Sequence, residues 1–186
     1  MTEAIQIDEK ASKLSDAVAA VGGIDVSYCY QCGKCSTGCP LASEMDLKPT
    51  QLMHAIQLGL NDLVYNSNTM WMCASCHNCS AHCPQDVDIA EVMDTVKIMM
   101  LREKRTPKVP DILKLSKCFL DNLKWFGRMY ELGMVGMLKL STGKLTQDMA
   151  MGMKMFKKGK FNLLPGFTGA WTVRNIIKRV RKLEKS

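Results

Sequence analysis

Several things are missing from this sequence, and each absence narrows its class. No apolar run approaches the ~18 residues that a membrane-spanning helix needs. The first ten residues, Met1 to Lys10, hold neither a basic start nor an apolar core, so no secretory signal is predicted there. Aromatic residues make up only 6%, and five phenylalanines stand against 15 methionines. That balance predicts adaptable apolar surfaces rather than a large aromatic core. No stretch alternates polar and apolar residues well enough to predict a strand of five or more residues. Disorder is excluded by the 47% of hydrophobic residues. The 186 residues suit one domain, or a small domain with an appendage.

Cysteine is what the chain has in excess, with nine residues. In the absence of an export signal a cytoplasmic location is expected, and cysteines there read as metal ligands or reactive thiols rather than as a disulfide framework. Eight of them form two quartets. Cys29, Cys32, Cys35 and Cys39 precede Pro40; Cys73, Cys76, Cys79 and Cys83 precede Pro84. Both read C-x2-C-x2-C-x3-C-P, and each cysteine of the first quartet has its counterpart 44 residues on. The repeat continues beyond them. Leu47-Lys48-Pro49-Thr50-Gln51-Leu52-Met53-His54-Ala55-Ile56 aligns with Val87-Asp88-Ile89-Ala90-Glu91-Val92-Met93-Asp94-Thr95-Val96, with four extra residues in the first copy. Each reads as the start of an amphipathic helix, with Leu52, Ile56 and Leu60 on one face of the first and Ile89, Val92, Met93 and Val96 on one face of the second. Pro49 suits a first helical turn; Asp86 and Asp88 suit a helix N-terminus. A further helix is predicted over Glu9 to Val21, stopped by Gly22-Gly23, and Asn61 to Asn68 reads as polar and turn-rich.

Three cysteines within seven residues place their sulfurs on one concave surface, which suits an iron–sulfur cubane. In such doubled runs the cysteine before proline serves the other cluster. Two [4Fe-4S] clusters are therefore expected. Cys29, Cys32, Cys35 and Cys83 would hold the first, and Cys73, Cys76, Cys79 and Cys39 the second. Structural zinc is the bland alternative, since C-x2-C pairs bind zinc, but zinc sites use two separated pairs. The role expected of two cubanes is storage and transfer of single electrons. Tyr28, Tyr30, Trp71, Met72 and Ile89 are candidates for excluding water. Lys34, inside the first loop, would raise that cluster's potential. His77 and His82 are expected to be solvated or satisfied in the core, because eight cysteines already fill eight ligand positions. Cys118 stands alone and reads as a small buried apolar residue.

Charge divides the chain. Residues 1–107 hold 8 Lys/Arg and 13 Asp/Glu, a balance of −5, whereas residues 108–186 hold 17 and 5, a balance of +12. The break falls at Thr106-Pro107-Lys108-Val109-Pro110, where the prolines mark a linker. Beyond it a string of short helices is expected. Asp111 caps the first, and Gly127, Gly133, Gly136 and Gly143 loosen the stretch after it. Met149 to Phe156 carries methionine at every second position. The last helix places Val173, Ile176, Ile177, Val180 and Leu183 on one side, with Arg174, Lys178, Arg181 and Lys182 elsewhere. A basic amphipathic helix of this kind docks on a partner protein or an anionic membrane surface. Nucleic acid ranks last, because no reading motif accompanies the charge.

The two cysteine segments, Cys29-Tyr30-Gln31-Cys32-Gly33-Lys34-Cys35-Ser36-Thr37-Gly38-Cys39-Pro40 and Trp71-Met72-Cys73-Ala74-Ser75-Cys76-His77-Asn78-Cys79-Ser80-Ala81-His82-Cys83-Pro84, resemble the C subunit of heterodisulfide reductase. The likeness spans residues 25–105. It implies a mainly α fold, a two-[4Fe-4S] ferredoxin-like helical domain with a helical basic C-terminal extension. The expected division is 1–24 as an N-terminal helical segment, 25–107 as the cluster domain and 108–186 as a partner-docking extension. The resemblance further implies a non-catalytic wire between two other heterodisulfide reductase-like subunits. One is the flavin- and cluster-bearing A subunit. The other is the catalytic B subunit, which has cysteine-rich repeats and acts on disulfides or related sulfur substrates. A freestanding ferredoxin-like shuttle, a membrane-peripheral quinone-linked adaptor and a cluster-stabilised nucleic-acid-binding module are the competing readings.

Overall fold

Each cysteine loop runs into a helix, as the repeat predicts. A computed structural model of the chain describes residues 12–143, 158 and 169–183. The described residues are mainly helical and contain no strand. They fall into two units divided between Val109 and Pro110.

The first unit is built on α1 (Ser12–Gly22), α3 (Pro49–Gln57) and α7 (Ile89–Arg102), with short helices between them: α2 (Lys34–Thr37), α4 (Asn61–Tyr65), α5 (Thr69–Met72) and α6 (Asn78–Ala81). The two helices after the cysteine loops start by different devices. Pro49 occupies the first turn of α3, where its missing N–H costs nothing, and Gln51 Oε1 accepts from Lys48 N–H at 2.9 Å. Asp88 caps α7, its carboxylate accepting from Glu91 N–H at 3.1 Å. Both helices bury their apolar faces. Leu52 and Ile56 of α3, and Ile89, Val92, Met93 and Val96 of α7, are all buried. Leu14 and Val18 of α1, which lies against both, close the core. Leu60, expected on the α3 face, falls beyond the end of that helix and is half-buried.

Two expectations change. Met53, Met70, Met93 and Met100 are almost wholly buried, so these methionines fill the interior rather than a surface. An unbranched thioether fits the gaps between short, irregularly crossing helices. The polar stretch after α3 is not all turn. Asn61–Tyr65 forms α4, because Val64 and Tyr65 one residue apart both reach the core and the Arg105 guanidinium lies 4.4 Å over the Tyr65 ring.

The second unit holds α8 (Pro110–Phe126), α9 (Glu131–Thr142) and α10 (Ala170–Leu183). α8 begins at Pro110, so Asp111 lies within its first turn and pairs with Lys114 at 3.4 Å. Asn122 is fully buried and brackets the turn into α9: its Oδ1 accepts from Tyr130 N–H at 2.7 Å, and its Nδ2 donates to Tyr130 O at 3.0 Å. Gly127 does not loosen the chain. It ends α8 with φ 75°, and a Cβ there would stand 2.3 Å from Ala170 N, so it is what lets α10 reach α8. Arg174 Nε adds a bond to Lys124 O at 2.9 Å.

Among the described residues of this unit only Cys118 and Asn122 are buried. Cys118, 8% exposed, has its Sγ 3.6 Å from Ser141 Oγ. Val173 and Ile177 of α10 are half-buried, whereas Ile176, Val180 and Leu183 are exposed. The methionine-alternating segment 149–156 lies outside the described residues. Among the described residues no helix is long and apolar enough to cross a membrane.

Candidate metal centres

The two cysteine loops share one backbone path. Left-handed residues fall at matching places 44 apart: Gln31 (φ 63°) with Ser75 (φ 48°), and Gly33 (φ 81°) with His77 (φ 56°). Such residues turn successive N–H groups toward one concavity, the kind of nest that receives anions and iron–sulfur clusters. A non-glycine residue held there costs about 1–2 kcal/mol, so three such residues in two short loops point to a shape imposed by what the loops bind. Gly33 and His77 then start α2 and α6.

Donors reach the sulfurs. Ser75 N–H lies 3.4 Å from Cys73 Sγ, and Gln31 Nε2 lies 3.5 Å from Cys29 Sγ. Gln57, on α3, holds the first loop in place. Its Oε1 accepts from Gln31 Nε2 at 2.9 Å, and its Nε2 donates to Val26 O at 2.9 Å and Cys29 O at 2.8 Å. The serine after the third cysteine ties each loop to the helix behind it. Ser36 Oγ accepts from Thr50 N–H at 2.9 Å, and Ser80 Oγ from Ala90 N–H at 3.3 Å. Loop and helix are therefore one structural unit, used twice. The loops also meet: α2 lies against α6, and the Asn78 side-chain amide donates to Gly38 O, immediately before Cys39.

None of the nine cysteines is joined in a disulfide. Burial pushes the Cys29 thiol up, the Gln31 N–H pulls it down, and Cys35, Cys83 and Cys32 push it up as like-charged neighbours. Cys83 is thus an electrostatic neighbour of Cys29. Cys39, Cys73, Cys76 and Cys79 line one cavity, with Pro40, Met45, Pro49 and Met93 in its walls. Burial likewise pushes the Cys79 thiol up. Among the described residues no three Cys, His, Asp or Glu side chains gather tightly enough to chelate a single ion. Single zinc needs four sulfurs about 2.3 Å from one point. The four thiols around this cavity are the donor set that a cubane takes.

The surrounding residues divide. Trp71 and Ile89 are buried, as a water-excluding wall requires, and Met72 is half-buried. Tyr28 and Tyr30 are 64% and 58% exposed, so they do not shield the first loop. Both flank Cys29, and the covalent proximity that suggested a shield sets no side-chain direction. Lys34 is exposed on α2. His77 is exposed and lies 3.7 Å from Asp88, and His82 Nδ1 lies 2.9 Å from Asn78 O. For Asp88, burial raises the carboxyl, but bonds from the Ser80 hydroxyl, Glu91 N–H and Ala90 N–H, with the His77 charge, together carry it below the usual carboxylate range. Sequence reading passed over Ser36, Ser80, Thr50, Gln57 and Asn78. The recurrence of serine after the third cysteine in both copies was the available signal for the first two.

Residues 25–87 match the family model of the 4Fe-4S dicluster domain. The chain accordingly carries a ferredoxin-type domain with two [4Fe-4S] clusters.

Its curated relatives are named as C subunits of heterodisulfide reductases. The C subunit of the H(2):CoB-CoM heterodisulfide,ferredoxin reductase of Methanothermobacter marburgensis is 33% identical over 81 residues, 44% of this chain and 44% of that protein. The iron-sulfur C subunit of the CoB--CoM heterodisulfide reductase of Methanopyrus kandleri is 35% identical over 74 residues, 40% and 38%. The iron-sulfur C 2 subunit of the same enzyme in Methanocaldococcus jannaschii is 30% identical over 101 residues, 50% and 54%. The chain thus spans about half the length of the curated relatives it matches.

Proposed function

We propose that this chain is an electron-transfer subunit of a heterodisulfide reductase-like complex. It relays single electrons through its two clusters between a flavin- and cluster-bearing A subunit and a catalytic B subunit acting on disulfide or related sulfur substrates. In this reading Cys29, Cys32, Cys35 and Cys83 hold the first cluster, and Cys73, Cys76, Cys79 and Cys39 the second. The observation that supports it best is the placing of the two last cysteines: Cys83 is an electrostatic neighbour of Cys29, and Cys39 lines a cavity with the three second-loop cysteines.

When bound, a cubane accepts or gives one electron with little movement of its ligands. The chain's own residues supply the rest. The left-handed turns aim N–H groups at sulfur, Gln57 and the paired serines keep the loops from relaxing, and Trp71 and Met93 limit water. The segment 108–186 is the docking arm. On α10, Arg174, Lys178, Arg179, Arg181 and Lys182 meet no acidic residue within the helix, and Ile176, Val180 and Leu183 are exposed beside them, which suits a partner surface both acidic and apolar. Anaerobic purification from the native host tests the proposal. About eight irons per chain are expected. A flavoprotein and a protein with cysteine-rich repeats should co-purify. Zinc without acid-labile sulfide, or recovery of the chain alone, would count against it.

A further inference from the structure

The two loops hold their serines alike and send the serine protons to different places. Each serine oxygen already accepts a backbone N–H, from Thr50 in the first copy and Ala90 in the second, which leaves its own proton to donate. In the second copy that proton goes to Asp88 Oδ1, 2.6 Å away. Ser80 Oγ also lies 4.0 Å from Cys79 Sγ, but it has one proton and the carboxylate holds it. In the first copy Ser36 Oγ lies 2.7 Å from Thr50 Oγ1, and Thr50 Oγ1 lies 3.3 Å from Cys35 Sγ. A metal-bound cysteine is a thiolate with no proton to give. The contact to sulfur therefore runs from the Thr50 hydroxyl, and Ser36 donates to Thr50. The relay ends on sulfur in one loop and on a carboxylate in the other. Ala90 occupies the place of Thr50 in the second copy and has no hydroxyl.

We propose that Thr50 is a potential-setting residue: by donating its hydroxyl to Cys35 Sγ it makes the first-loop cluster the more readily reduced of the two, while the Asp88 carboxylate keeps the second-loop cluster lower. This rests on the two-cluster assignment proposed above. Reduction adds one negative charge that spreads over the sulfurs, so a donor to sulfur favours the reduced form and a nearby carboxylate opposes it. Cys35 is buried, where such a bond is little screened by water. The exposed Lys34 beside it acts in the same direction. A single electron on the chain therefore resides on the first-loop side.

Potentiometric EPR titration of the full-length, cluster-loaded chain tests this. Thr50→Val keeps the branched shape and removes the hydroxyl. It should shift the higher midpoint potential down and leave the lower one in place. Thr50→Ser, which keeps the hydroxyl, should restore the higher midpoint, and Thr50→Ala should repeat the loss should valine perturb the helix start. Asp88→Asn keeps the helix cap and removes the charge, and should raise the lower midpoint alone. If the Thr50 variants leave both midpoints unmoved, or shift the lower one, the role of Thr50 is overturned. Iron and acid-labile sulfide measured on every sample separate the two ideas. A wild-type chain without two clusters overturns the assignment itself; two clusters with unmoved midpoints overturn only this inference.

Discussion

Cys39 and Cys83 are each the last cysteine of one quartet, and each has cysteines of the other quartet among its neighbours. Asn78 anchors Gly38 and so presents Cys39 to the cavity it shares with Cys73, Cys76 and Cys79. Cys83→Ala should therefore remove the signal of the first-loop cluster, and Cys39→Ala that of the second, as read by EPR of reduced protein with iron counted alongside. Damage confined to the cluster of the same loop would show that the ligands are not exchanged. At this scale the two thiol-rich loops were legible, because cysteine spacing is a local property. The directions of Tyr28 and Tyr30 were not, since chain neighbours share a backbone but not a side-chain environment.

Among the elements, the repeat unit is a loop, a serine tether and a helix. Its boundaries were largely legible. Pro49 and Asp88 sit where helix starts place them, and the buried positions of α7 follow a 3.6-residue period. Helix α4 was hidden because only Val64 and Tyr65 of its five residues are buried, too few to show a period. In the second unit the Asn122 bracket was equally invisible, since a polar residue inside an apolar stretch looks like a defect until its partner is placed. Replacing Asn122 with Ala should expose the Tyr130 amide to faster hydrogen exchange and cost the second unit about 1–3 kcal/mol, the usual penalty for orphaning buried polar groups. Unchanged protection at Tyr130 would mean that the turn is held by something else. Leu52→Ala in α3 should cost more, about 2–5 kcal/mol in thermal or denaturant unfolding, because it opens a cavity between α3 and its neighbours.

For the whole molecule, the clusters and the helical core of the first unit stand or fall together. Two loops with non-glycine left-handed residues have little reason to keep their shape without the thiolate–iron bonds, so metal binding is also folding energy. Stripping the iron with a chelator and an oxidant should lower the unfolding temperature and reduce the helical signal in circular dichroism; an apoprotein melting as the loaded one does would contradict this. The basic arm has a different dependence. Reversing Arg179 and Lys182, both exposed on α10, should weaken association with the proposed partner, and rising salt should narrow the gap between variant and wild type, because exposed charges are screened within about 8 Å at physiological ionic strength. The sequence by itself determined the cysteine repeat, the cofactor class, the two helices behind the loops and the division of charge between halves. All of these depend on residue type and spacing along the chain. Only the tertiary structure decided which helix each serine ties to its loop and which aromatic residues face water. Those outcomes depend on residues separated along the chain being brought within hydrogen-bonding distance, and packing, not covalent order, sets that.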